Sequence, residues 1–163
     1  MSHRRVDLKP AELCVVARPT VISTVLGSCV AICLLGERPG TAAMCHSLLP
    51  SGRVGQGVEV GRFVDEALEA MLLGLRRLGV KPDQVQAKLF GGADMFGLEG
   101  GELCRLTVGR QNIEMARMLL ATSNIPLVAE NTGGSMGRKI FFHTGSGEVH
   151  LKWVGQQGLK AAA

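Results

Sequence analysis

Short apolar runs separated by polar and glycine-rich breaks dominate the first fifty positions. Val21 to Leu26, Val30 to Leu35 and Thr41 to Leu48 each have the length and content of a strand. The first two are parted by Gly27-Ser28. The second and third are parted by Glu37-Arg38-Pro39-Gly40, a turn by composition. After a loop at Pro50 to Gly57 the period changes. Between about Gly61 and Leu78, Phe63, Val64, Ala67, Leu68, Met71, Leu72, Leu75 and Leu78 recur at helical spacing, and Arg62, Asp65, Glu66, Glu69 and Arg76 fall mostly elsewhere. Gly79 is placed to end that helix.

The second half repeats the alternation of strands and helix. Val85 to Phe90 reads as a buried strand running into Gly91-Gly92, and a glycine-rich stretch to Gly101 leads to an expected strand at Leu103 to Val108. A helix at about Arg110 to Thr122 presents Ile113, Ala116, Leu119 and Leu120 on one face. Strands follow at Leu127 to Glu130, Lys139 to His143 and Glu148 to Trp153. In the last of these Val149, Leu151 and Trp153 alternate with His150 and Lys152, the period of a half-solvated strand. Strands therefore prevail, with two long helices and hairpin-like links, which is the pattern of an α+β fold. We expect a single domain over residues 1–163, its core at about 15–155 and both termini frayed.

Composition narrows the function classes. Glycine is abundant at 22 of 163 residues and follows no three-residue period, so it belongs to turns and close approaches. The net charge of +4 is scattered in nothing longer than pairs such as Arg4-Arg5, and tyrosine is absent. That is a poor footprint for nucleic acid, which favours clustered cations with stacking aromatics. Five cysteines without a C-x-x-C pair, and no basic-plus-apolar leader or membrane-length apolar run, lead us to expect free thiols in the cytoplasm.

Two residues invite chemistry. Cys29 follows the small, flexible turn Gly27-Ser28, where backbone N–H groups can converge on an oxyanion. Equally, a cysteine there fills a tight spot beneath a strand. His46 ends the next strand-like run. If the strands flanking Glu37 to Gly40 form a hairpin, its imidazole comes within reach of the Cys29 thiol, as a base that deprotonates it and an acid that protonates a leaving amine. A satisfied, half-buried histidine is the alternative. A zinc site of Cys29, Cys33, Cys45 and His46 fits poorly, because Cys45 and His46 point to opposite faces of one strand.

The run Thr24-Val25-Leu26-Gly27-Ser28-Cys29-Val30-Ala31-Ile32-Cys33-Leu34, followed by His46-Ser47-Leu48-Leu49-Pro50, resembles the chemoreceptor glutamine deamidase family, CheD. Phe90-Gly91-Gly92-Ala93-Asp94-Met95-Phe96 is similar to its middle motif. Gly109-Arg110-Gln111-Asn112, Ile125 to Glu130 and Gly133-Gly134-Ser135-Met136-Gly137-Arg138-Lys139 resemble its C-terminal half. Several motifs in order, over about residues 15 to 155, carry the likeness.

The resemblance implies a mixed β-sandwich flanked by helices in α/β/β/α layers, like the catalytic domains of toxin deamidases such as cytotoxic necrotizing factor. It implies hydrolysis of selected glutamine side chains on the cytoplasmic helices of chemoreceptors to glutamate and ammonia, through a cysteine thioester and with no metal or organic cofactor. It also implies binding to the phosphatase CheC, which regulates some family members. Carried over, Cys29 is the nucleophile, His46 the base and acid, and Gly27 and Ser28 contact substrate. The family's third member is a threonine just upstream of the cysteine, and here Ser23 and Thr24 both qualify. An adaptor without catalysis, or a transglutaminase-like thiol amidase, are the competing readings. The Gly91-Gly92 and Gly133-Gly134 motifs serve either as tight turns under the sheet or as points of close approach for a receptor helix.

Overall fold

The computed structural model describes residues 4–52, 59–95, 107–155 and 160–162. Ten strands and two helices follow in the order β1 (Arg4–Asp7), β2 (Leu13–Val16), β3 (Thr20–Leu26), β4 (Val30–Gly36), β5 (Ala42–Cys45), α1 (Val64–Arg77), β6 (Val85–Gly91), α2 (Val108–Thr122), β7 (Leu127–Thr132), β8 (Gly137–His143), β9 (Val149–Val154) and β10 (Lys160–Ala162). They form two five-stranded sheets, ordered β1-β3-β8-β9-β10 and β2-β5-β4-β6-β7. The pairs β1/β3 and β6/β7 are parallel and the rest antiparallel.

The strand β4 is central, and its residues are buried on both faces save Leu35, which is why it reads as an unbroken apolar run. Its two faces serve two cores. Ala31 and Cys33 pack between the sheets with Ile22, Leu26, Met44, Ile140, Phe142 and Leu151. Val30, Ile32 and Leu34 pack with Ala43, Leu89 and the buried stripes of α1 and α2. The sandwich with flanking helices is the expected one, while among the described residues both helices lie on the second sheet and not one on each outer face. Arg138 of β8, fully buried, adds a polar tie: its guanidinium donates at 2.6 Å to the Asn131 carbonyl and also bonds the Gly133 carbonyl, lying over Trp153.

Residues 4–7 and 160–162 form edge strands, and residues 1–3, 156–159 and 163 lie outside the described set. The expected strand at Leu103 to Val108 falls mostly outside it as well. Its last residue opens α2 instead, because Thr107 accepts from the Arg110 N–H as an N-cap.

The glycines of the two pairs meet different surroundings within the chain. Gly91 has φ +102°, and a Cβ there would collide with the Cys29 carbonyl oxygen. Gly133 has φ +79° with nothing within 4 Å, a plain turn. We therefore expect Gly91→Ala to destabilise the chain by about 2–4 kcal/mol, strain plus collision, and Gly133→Ala by about 1 kcal/mol. Thermal melts of the two variants check the contrast.

Candidate active site

The expected hairpin is present. Beyond Cys33↔Met44 its ladder continues to Val30 and Ser47, which exchange N–H···O bonds of 3.0 and 2.9 Å. His46 then stands opposite Ala31, and Cys29 lies two residues before Ala31 on the same inter-sheet face. On its other side the His46 backbone is held by Glu12 and Ala11, donating to the former's carbonyl and accepting from the latter's N–H at 2.9 Å each.

Thr24 reaches His46 from the opposing sheet. Its Oγ1 lies 2.6 Å from Nδ1 and donates at 2.8 Å to the Leu8 carbonyl. A hydroxyl has one proton to give. With that proton on Leu8, the bond to the imidazole has Nδ1–H as donor, and Nε2 keeps its lone pair. Ser23, next along β3, faces the other side, where its hydroxyl bonds the Asp7 carboxylate. Of the two upstream hydroxyls, the structure brings Thr24 and not Ser23 to His46.

His46 is 3% exposed, and burial pushes its pKa down from 6.5 to about 4, with the Glu12 carboxylate pulling weakly the other way. Burial likewise raises the Cys29 thiol, opposed by its own backbone N–H. Thiol and imidazole are thus both neutral at rest.

The half-buried Cys29 lines a cleft of about 510 Å³ with Ser28, Leu48, Leu49, Arg62, Ala93, Asp94, Met95, Thr107, Val108 and Gly109. Ser28 is therefore at the cleft. Gly27 is used through its carbonyl, which accepts from Ala93 N–H at 2.9 Å, while the Cys29 carbonyl accepts from Gly92 N–H at 2.8 Å. Asn112 of α2, fully buried, was not singled out from the sequence. Its Nδ2 donates to the Ser28 carbonyl at 3.1 Å and the Leu48 carbonyl at 3.0 Å. The available signal was an amide inside the apolar stripe of α2, beside Gly109, Ile113, Ala116 and Leu120. Cys45 belongs to the helix-side core and Cys33 to the inter-sheet core. Among the described residues no three His, Cys, Asp or Glu side chains are grouped to hold a metal ion.

Fold and site together define an α+β sandwich protein with a thiol at a cleft and a buried imidazole bonded to a threonine hydroxyl. The family model described as CheD chemotactic sensory transduction matches residues 48–153. A protein of Geobacter sulfurreducens named probable chemoreceptor glutamine deamidase CheD 2 is 44% identical over 147 residues, 90% of this chain and 88% of its own. Proteins named probable chemoreceptor glutamine deamidase CheD from Maridesulfovibrio salexigens and Thermococcus kodakarensis are 38% and 41% identical, covering 91% and 85% of this chain and 91% and 87% of theirs. The chain belongs to the CheD family.

Proposed function

We propose that this protein deamidates glutamine side chains on chemoreceptors, with Cys29 as nucleophile, His46 as general base and acid, and Thr24 as the group that orients His46. The observation that carries the reading is the relay from the Leu8 carbonyl through Thr24 to Nδ1. With that arrangement Nε2 keeps its lone pair, and Cys29 lies at a cleft of about 510 Å³.

Nε2 takes the thiol proton as sulfur bonds the carboxamide carbon, and the amide oxygen becomes an oxyanion near the Gly27 to Cys29 backbone. The C–N bond then breaks, the imidazolium proton leaving with ammonia, and a thioester remains. Water attacks the thioester as Nε2 takes its proton. Collapse restores the thiol, reprotonated from His46, and releases glutamate. Relatives named chemoreceptor glutamine deamidase support the substrate class.

The test is incubation with receptor cytoplasmic fragments, following ammonia and the mass gain of amide-to-acid conversion at glutamines. Absence of conversion would sink the reading, and incorporation of an added primary amine in preference to water would point to transglutamination. Within it, Thr24→Val is expected to lower kcat by about 10²-fold, because His46 loses its fixed tautomer. Ser23→Ala, on the far face, should change kcat by no more than about twofold.

A further inference from the structure

The β4–β5 ladder stops abruptly at the nucleophile, and a helix side chain takes over where it stops. After Val30/Ser47 the next hydrogen-bonded rung of an antiparallel pair would join Ser28 to Leu49. It is not made. The Leu49 N–H goes to the Arg62 carbonyl at 3.2 Å, and the Leu49 carbonyl accepts from Val64 at 2.9 Å. The Ser28 carbonyl is taken instead by Asn112 Nδ2, whose second proton holds the Leu48 carbonyl across the gap. Both partners are acceptors, so the amide's orientation is fixed by the network.

In a planar trans peptide the C=O and the following N–H point in opposite directions. Pinning the Ser28 carbonyl into the body of the protein therefore aims the Cys29 N–H away from Asn112. The carbonyls on either side, of Gly27 and Cys29, are held by Ala93 and Gly92, so all three consecutive carbonyls of the turn are anchored. Asn112 itself is poorly served by this arrangement. Its Oδ1 is buried and has no partner among the described residues, a deficit of about 1–3 kcal/mol that a residue present for stability alone would not carry.

Resting on the deamidase reading above, we propose that Asn112 is a positioning residue for the oxyanion. By holding the Ser28 carbonyl it aims the Cys29 N–H at the oxygen that becomes negative when sulfur adds to the carboxamide.

Two thiol reactions separate this role from a structural one. Iodoacetamide alkylation forms an S–C bond, expels iodide and develops no oxyanion. Propionaldehyde adds the sulfur to its carbonyl carbon while the thiol proton passes to the oxygen, so the hemithioacetal oxygen occupies the oxyanion position. Asn112→Ala and the isosteric Asn112→Asp are compared with the unmodified chain. We expect Cys29 alkylation within about twofold, aldehyde protection of Cys29 against alkylation weakened about tenfold, and kcat for receptor deamidation down about 10²-fold with KM within about twofold. A parallel fall in alkylation, protection and kcat would overturn the proposal in favour of a purely structural residue, and so would the absence of any change. If the unmodified chain fails to deamidate receptors, the function reading falls, and the alkylation and aldehyde readouts still decide the role of Asn112.

Discussion

Cys29→Ala is expected to lower receptor deamidation by about 10⁴-fold or more while the fold survives. The proposed chemistry has no second route, since in it both the tetrahedral adduct and the thioester are built on this sulfur. The structural cost is small because the thiol is half-buried at a cleft, packed against the inter-sheet core without being a central member of it. Cys29→Ser places an oxygen at the same position and is expected to fare little better, because a hydroxyl gives up its proton far less readily than a thiol. Cys33→Ala supplies the opposite pattern. Cys33 is 1% exposed between the sheets, so that variant should melt earlier and keep its turnover. Ammonia release and thermal melts on the three variants give the comparison, and turnover retained by Cys29→Ala would remove Cys29 as nucleophile.

The β4–β5 hairpin was legible in the sequence because its two strands are apolar and the turn between them is unambiguous. The choice between Ser23 and Thr24 was not legible, for a physical reason. Six of the seven residues of β3 are buried, so no polar alternation marks its inner face, and only the pairing partners reveal that Thr24 looks inward. The edge strand β1 was hidden for the opposite reason. β1 is Arg-Arg-Val-Asp, with Val6 as its one apolar contribution, and charged edge strands carry almost no hydrophobic signal. Yet this segment and the turn after it supply the Leu8 carbonyl to Thr24 and the Glu12 and Ala11 backbone to His46. The roles of Asn112 and of the Gly92 and Ala93 N–H groups depend on contacts between distant parts of the chain, which no local pattern encodes.

His46→Ala is expected to lower kcat by about 10³-fold or more, because in the proposed mechanism one imidazole serves as base and acid in both halves of the reaction. The unmodified chain carries a pH signature that makes the assignment specific. Nε2 accepts a proton only when the ring is neutral, and burial holds the ring neutral down to about pH 4. The acid limb of kcat/KM should therefore lie near 4, not at the 6.5 of an exposed histidine. Stability follows the same group. Between pH 6.5 and about 4 the unfolded chain protonates this histidine and the folded chain does not, so the unfolded state binds more protons and stability falls as pH drops through that window. The loss contributed by His46 approaches about 3 kcal/mol at the acid end. His46→Ala should lack that component, so its melting temperature should fall less steeply than the unmodified chain's between pH 6.5 and 4. An acid limb at 6.5, or the same acid destabilisation in His46→Ala, would mean that the ring is solvated during turnover and that Thr24 does not hold it in place.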